Sequence, residues 1–536
     1  MSSRKETFHF VVLLALCGVL FFAGLGIRDI WNIDEGMHAA IAQNMLISGD
    51  WITPIYNGEP FFDKPPLFNW ATAIAFILFG VNETAARIPS AVAGLGCVIV
   101  TYLLGRRTFD ARTGLFAAVI LATSPAIMVL SRAVQYDILF TFFTTLALYL
   151  FASGVIEERN SKRYFLAFYV ALALAFMTKG PIAIVLTGLV IGGYCLHRDR
   201  IKLLFKMQIP LGSVIFLLIA APWFTLMEQA NPGYLNYFLY QQHLANFLSG
   251  AAEYKPRHIE PFYYYLPILL LGLLPWSLML PQAIARAVKH QRNVIAGMAL
   301  FLLIWIVAIF LFFSAASSKL GTYLLPLFPA AALLLGWYWR EFLDQPGGKA
   351  RYGILLGSGV VFAVLALFTA YVVVEKPWPN MYFRSGIAWH DFVMSMLLLS
   401  ALFGLAFLLT WLRQNRHAFV VLAAIIPLFF FYVLVAIVPD MNPYKSSRQI
   451  AVELDELLPA GEKFWFLGHH LDSAVFYSRR EGVEVYSVGQ LEAYLESEER
   501  RYALVLTRAR TEDEAFKGNY HILKVIGNKA IVSNQP

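Results

Sequence analysis

His9-Phe-Val-Val-Leu-Leu-Ala-Leu-Cys-Gly-Val-Leu-Phe-Phe-Ala-Gly-Leu-Gly-Ile27 carries no Asp, Glu, Lys or Arg, and it leads almost directly into the acid cluster Trp31-Asn-Ile-Asp-Glu-Gly36. An uncharged helix of about twenty residues matches a hydrocarbon layer roughly 30 Å thick, so this run is expected to cross a membrane. Met1-Ser-Ser-Arg-Lys5 ahead of it gives the look of a secretory signal. The run is long, lacks a small-x-small cleavage site and is followed by many others, so it reads as an uncleaved anchor. A second acid cluster, Phe61-Phe-Asp-Lys-Pro-Pro-Leu67, lies in the same first loop. Placing an ionised carboxylate at a helix centre in hydrocarbon costs about 3 kcal/mol, so acids this close to the membrane point to function.

The rest of the chain agrees with the anchor. Of 536 residues, 59% are hydrophobic and 15% aromatic, too apolar for a water-soluble fold of this length. Apolar runs are expected to span near 9–27, 88–104, 113–130, 138–154, 164–178, 181–197, 209–227, 262–281, 294–313, 321–339, 353–374, 388–412 and 418–438, thirteen in all. Leu67 to Phe79 is too short to cross and, with Trp70 near its start, suits an interfacial or re-entrant helix. The net charge of +7 falls in short clusters between these runs, such as Arg106/Arg107/Arg112, Arg198/Arg200/Lys202/Lys206 and Arg286/Lys289/Arg292. That distribution encodes topology and argues against a nucleic-acid partner. With a cytoplasmic N-terminus the basic clusters all fall inside, which puts the C-terminus outside. Cys17, Cys97 and Cys195 each sit within an apolar run, which leaves no expected disulfide or thiolate metal site.

After Pro439 the apolar runs shrink to strand length. Ile450–Leu458, Ala474–Ser478 and Gly489–Glu496 have helical patterns, and Lys463–Leu467, Val483–Ser487, Tyr502–Thr507, His521–Ile526 and Lys529–Ser533 read as strands. The expected organisation is therefore a membrane domain over 1–438 and a small α/β domain over 439–536 on the outer face. The pattern shows no glycine-rich phosphate loop and no internal repeat, so an inverted-repeat transporter gains no support.

The unusual polar residues share that outer face: Asp34, Glu35, His38, Asp63, Lys64, Arg132, Asp137, Lys179, His243, Arg257, His258 and Lys319. Asp34 and His38 share one side of a helix expected from Asp34 to Ile47, along which Met37, Ile41 and Met45 recur at the same spacing. Asp34 or Asn32 also suits the N-cap of that helix, a purely structural alternative. The Pro65-Pro66 pair stiffens the backbone beside Asp63-Lys64 and presents an acid and a base rigidly. Cations on the outer side run against the positive-inside bias. Lys64, Arg132, Lys179, Arg257 and Lys319 together suit the phosphate or pyrophosphate of a lipid, and each taken singly suits headgroup snorkelling. Histidines 38, 243 and 258 with Asp63 or Glu35 offer donors for a divalent metal ion, without compact ligand spacing.

Taken in order, Asp34-Glu-Gly36 with Ser48-Gly-Asp-Trp51, Phe62-Asp-Lys-Pro-Pro-Leu67, Arg87-Ile-Pro89, Asp137, Thr178-Lys-Gly-Pro181, His243-Leu-Ala-Asn-Phe247, Pro261-Phe-Tyr-Tyr-Tyr265 and Ser318-Lys-Leu320 with Tyr323 form a familiar series. It resembles the bacterial lipid-linked sugar transferases of the GT-C class, the ArnT group of 4-amino-4-deoxy-L-arabinose lipid A transferases, which have relatives among protein O-mannosyltransferases. The resemblance implies transfer of a sugar, with inversion, from a polyprenyl-phosphate donor to lipid A or another envelope glycolipid at the periplasmic side of the bacterial inner membrane. Protein O-glycosyl transfer is the alternative within the class, and a lipid or solute transporter the alternative outside it.

The same resemblance implies roles. Asp34 would be the general base and Asp137 would orient sugar or acceptor, while Lys64, Lys179, Lys319 and Tyr323 would hold the donor phosphate. Glu35, His38, Arg257 and His258 would contact substrate, and Asp63 and His243 would be the ligands of any metal. Such chemistry is coherent: inversion needs one base opposite the leaving group, and a phosphate held by cations leaves without an acid. The chain departs from the aminoarabinose transferases at Met37-His38, where they read Arg-Tyr, at Asn246, where they carry Arg, and at Asp63, where they carry Glu. The first two replacements remove charge near the site, which points to a different sugar or a different hold on its phosphate.

Overall fold

The computed structural model describes residues 3–32, 34–157, 159–197, 201–245, 260–289, 294–344, 349–375, 387–459, 461–467, 471–506 and 520–536. It is a helical bundle capped at one end by a mixed sheet. The helices that position the site are α1 (Ser3–Phe22), α2 (Asp34–Ser48), α3 (Leu67–Phe79), α4 (Glu83–Thr108), α5 (Ala111–Ala122), α6 (Pro125–Leu130), α7 (Tyr136–Ile156), α8 (Ser161–Lys179) and α9 (Ile182–His197).

Local chemistry explains their ends. Asn82 caps α4 by accepting from the Ala85 N–H (2.9 Å), Glu83 occupies its first turn, and Arg106 and Arg107 occupy its last, each charge opposing the helix dipole. Asp110 caps α5 in the same way, accepting from the Thr113 N–H (2.8 Å). Within the first loop, Asn57 and Gly58 both take positive φ (53° and 79°), the backbone of a two-residue hairpin between β1 (Ile55–Tyr56) and β2 (Glu59–Pro60).

All thirteen expected spans are helical, but they differ in how they could cross. Among the described residues, nine helices are long and apolar enough on their own. Of the other four, 113–130 is divided into α5 and α6, α8 carries Lys162, Arg163 and Lys179, α9 has 16 residues, and 262–281 falls in a pair of helices bent by 110°. The bent pair is a broken span or a re-entrant loop. Helices α4 and α7 form the interior, with 67% of their apolar windows buried, whereas those over 351–375 and 389–411 bury 17% and 22% and keep their apolar faces outward, as lipid-facing helices do. Helix α3 has the bounds expected of a short interfacial segment.

The carboxy-terminal strands are β3 (Phe464–Leu467), β4 (Gly482–Val485), β5 (Tyr502–Leu506), β6 (His521–Ile526) and β7 (Lys529–Ser533), in the order β4-β3-β5-β7-β6. β3 pairs parallel with β4 and β5, and β7 pairs antiparallel with β5 and β6. Helices Arg448–Leu457 and Val488–Leu495 pack against the sheet, and helix Asp472–Ser478 packs between Arg448–Leu457 and α2. Every strand and helix expected here is present within one to a few residues, because short apolar alternation between turn residues leaves little other choice.

Candidate active site

Buried ion pairs hold the first loop in shape. Glu35 accepts from Arg28 Nη2 (2.7 Å), from Arg87 Nε (3.1 Å) and Nη2 (3.0 Å), and from the N–H groups of Trp31 (3.2 Å) and Val134 (3.0 Å). Arg87 also donates to the carbonyls of Leu25 (2.7 Å) and Asp29 (2.7 Å). Both carboxylate oxygens of Glu35, a residue expected to contact substrate, are thus taken up by groups of the protein itself. Its place in the Asp34-Glu-Gly36 motif is that of a scaffold. Burial alone would raise the Glu35 pKa, but Arg28 and Arg87, with their hydrogen bonds and that of Val134, outweigh it and hold the carboxyl at about 2. With its pKa depressed on folding, Glu35 contributes stability that is complete above its unfolded value of about 4.3 and is lost as pH falls towards 2. Glu35→Gln is therefore expected to melt earlier than the parent at pH 7 and to lose that difference as pH falls towards 2, measured by thermal unfolding in detergent.

Asp34 opens α2 and is exposed. Its Oδ2 accepts from Gln135 Nε2 (2.9 Å), and the residue lines a crevice of about 270 Å³ with Ala126, Leu130, Ile268, Leu320 and Phe328. Helices α7 and α8 pack against each other, and this brings the first turn of α7 to the last residue of α8. Asp137 at the N-terminus of α7 pairs with Lys179 at the C-terminus of α8, each charge on the helix end that favours it. The Lys179 ammonium also lies over the rings of Tyr323 (4.3 Å), Tyr136 (5.4 Å) and Phe140 (5.5 Å). Lys64 lies over Tyr136 (5.5 Å) and donates to the Asp63 carbonyl (3.1 Å). Burial lowers the Lys64 pKa, Asp63, Asp137 and Asp34 oppose the shift, and Lys179 adds to it. Two lysines therefore lie over one tyrosine ring, and Asp34, Asp63 and Asp137 are close enough to act on it electrostatically.

His38 is buried beneath this group, edge-on to Tyr136 (5.2 Å), Phe68 (5.9 Å) and Phe61 (6.1 Å). Burial pushes its imidazole down to about 4 against the pull of Asp34, so the ring is neutral at neutral pH. It packs edge-on against the Tyr136 ring. Asp63 accepts from the Tyr237 hydroxyl (3.1 Å).

Two outer cations bond to backbone carbonyls. Lys319 donates to the carbonyls of Ala316 (2.6 Å) and Glu260 (2.9 Å), beside the turn that carries Tyr323. Arg132 donates to the carbonyls of Leu20 (3.0 Å) and Ala23 (2.6 Å), and so caps the end of α1 instead of facing a lipid phosphate. Arg257 and His258 lie outside the described residues, as does the side chain of His243, whose backbone belongs to the helix Asn236–Ala245. Among the described residues no three of His, Cys, Asp and Glu converge as a metal centre.

Tyr136 and Gln135 escaped the sequence reading. Only their position next to Asp137 signalled them, since an aromatic and an amide in an apolar chain draw no attention by type.

The site thus sets an exposed carboxylate near two lysines, Lys179 buried and Lys64 half-buried, at one end of a multi-pass helical bundle. The family profile described as dolichyl-phosphate-mannose-protein mannosyltransferase matches residues 63–225. An undecaprenyl phosphate-α-4-amino-4-deoxy-L-arabinose arabinosyl transferase of Pseudomonas paraeruginosa is 31% identical over 470 residues, 85% of this chain and 81% of its own. One from Edwardsiella ictaluri is 33% identical over 374 residues, 68% of this chain and 66% of its own. The crystal structure of ArnT from Cupriavidus metallidurans bound to undecaprenyl phosphate shares the fold with a TM-score of 0.83, at 24% identity and 98% coverage of both chains. An Archaeoglobus fulgidus oligosaccharyltransferase is more distant, with a TM-score of 0.54 over 95% of this chain and 70% of its own. The chain belongs to the family of these arabinosyl transferases, and it is a polyprenyl-phosphate-sugar-dependent glycosyltransferase.

Proposed function

We propose that the chain moves a sugar of the aminoarabinose kind from undecaprenyl phosphate to lipid A or another envelope glycolipid, at the periplasmic face of the bacterial inner membrane. The observation that carries this reading is exposed Asp34, bonded to Gln135, within electrostatic reach of Tyr136, whose ring lies under Lys64 and Lys179. In the reaction, Asp34 accepts the proton of the acceptor hydroxyl as its oxygen attacks the anomeric carbon. The bond from that carbon to the donor phosphate breaks with its electron pair going to the phosphate, on the opposite face of the sugar, which inverts the centre. Lys64 and Lys179 hold the departing phosphate, and the Tyr323 hydroxyl adds a donor beside them. Asp137 directs Lys179, and Lys319 stiffens the turn that supplies Tyr323. A divalent ion, where one binds, would be held by Asp63 and His243 and would add positive charge for the same phosphate.

The relatives' names support the carrier and the sugar, and the fold shared with a structure that holds undecaprenyl phosphate supports the carrier. The replacements at Met37-His38 favour a sugar that asks for less charge. Mass spectrometry of lipid A and envelope glycolipids, with and without the protein, tests the proposal. The expected result is one mass increment of a single sugar that depends on the protein, and an unchanged glycolipid profile would overturn it. A reporter fused after Pro439 is expected to be active outside the cytoplasm, as the orientation requires.

A further inference from the structure

The two neighbours that flank Asp34 at a spacing of two are both gripped by the carboxy-terminal layer. On one side, the Asn32 Oδ1 accepts from the Ser473 N–H (3.1 Å) and from the Ser473 hydroxyl, while the Asn32 N–H donates to the Lys445 carbonyl (3.0 Å). The Ser473 oxygen is itself fixed by accepting from the Ser447 N–H (2.8 Å). On the other side, Gly36 lies so near the start of helix Asp472–Ser478 that a Cβ would come within 2.4 Å of Ser473 N and 2.5 Å of the Asp472 carbonyl carbon. Only a residue without a side chain allows that approach. The Tyr56 hydroxyl, from the hairpin of the same loop, donates to Asp472 Oδ1. Between the two held positions, Asp34 bonds to Gln135 and lines the crevice with residues of the membrane bundle.

This arrangement exceeds what docking a domain requires. Docking is already supplied by Arg448, which pairs with Asp29 (3.1 Å) and Glu83 (3.0 Å), and by Tyr477, which accepts from the Ile30 N–H (2.8 Å) and donates to Glu83 (2.9 Å). The contacts at Asn32 and Gly36 bear on the backbone that aims one carboxylate. A general base must lie within hydrogen-bond reach of the proton it removes, and an error of about 1 Å costs roughly a hundredfold in rate. We propose that helix Asp472–Ser478 is a positioning element of the transfer reaction, which sets the direction of the Asp34 carboxylate through Asn32, Gly36 and Ser473. The proposal rests on Asp34 being the base, and it gives the carboxy-terminal layer a part in turnover.

The test measures kcat, donor KM and melting temperature of the purified full chain, with undecaprenyl-phosphate-linked aminoarabinose and lipid A as the substrates. Asn32→Ala is expected to lower kcat roughly tenfold or more, with donor KM unchanged because Lys64 and Lys179 belong to other elements. Ser473→Ala keeps its backbone N–H and should lower kcat less, and the double variant should be no slower than Asn32→Ala, since both act through one contact. Arg448→Ala, which loosens the same interface away from Asp34, should lower the melting temperature while kcat stays within about twofold. A parental kcat in Asn32→Ala would overturn the proposal. So would a kcat loss in Arg448→Ala as large as in Asn32→Ala, because docking in general would then be the cause. Failure of the base reading is separate, since it shows as turnover by Asp34→Asn.

Discussion

Asp34→Asn is expected to lower transfer on the order of 10²–10⁴-fold while the protein stays folded and inserted in the membrane, the range that loss of a positioned general base commands. The substitution is nearly isosteric, and Asp34 is exposed with one hydrogen bond to Gln135, so its removal disturbs no buried pair. The asparagine amide cannot take a proton, yet it can keep a bond to Gln135 through its oxygen. Donor binding should be unaffected, because the lysines around Tyr136 are untouched. The measurement is single-turnover transfer alongside binding of undecaprenyl phosphate. Near-normal turnover would remove the base assignment, and lost donor binding would place Asp34 at the phosphate instead.

The second large effect concerns the buried pair of Lys179 and Asp137. Lys179→Met leaves Asp137 as an uncompensated carboxylate that is 3% exposed, an arrangement that costs about 3–5 kcal/mol. It also removes a cation from the proposed phosphate site, so stability and turnover should both fall. The double variant Lys179→Met with Asp137→Leu separates the two effects. Replacing both charges by apolar groups is often neutral for stability. The melting temperature of the double variant should therefore return towards that of the parent while donor binding stays weak. Donor affinity that recovers together with stability would show the pair to be structural. Thermal unfolding and donor binding on the same samples decide between these outcomes.

The legibility of the sequence differed from element to element for physical reasons. The apolar runs announced the spans because a hydrocarbon layer filters composition before it filters shape. The helix at Asp34, the short α3 and the five strands were equally plain from local pattern. The division of 113–130 into α5 and α6, at Ser124-Pro125, was less so, since a run that is apolar throughout gives no periodicity to interrupt. In the site, Asp34, Lys64, Asp137 and Lys179 stood out by type in an apolar setting, and they lie near one another in space. Glu35 stood beside Asp34 with the same chemistry and could not be told from it. The difference lies in partners fifty to a hundred residues away, Arg87 and Val134.

What the sequence by itself determined is the class of molecule: a multi-pass membrane chain with a small α/β layer after its last span and an unusual set of acids and cations in its loops. Those are consequences of composition and local periodicity, which each segment carries independently of the others. The tertiary structure alone decided the division of labour among those charges. It buried Glu35 against two arginines, bonded Arg132 and Lys319 to backbone carbonyls, and left Asp34 exposed at a crevice. It also set Gly36 against Ser473. Whether a charge is a scaffold or a reagent depends on which distant groups neutralise or desolvate it, and that sum over neighbours exists only once the chain has folded.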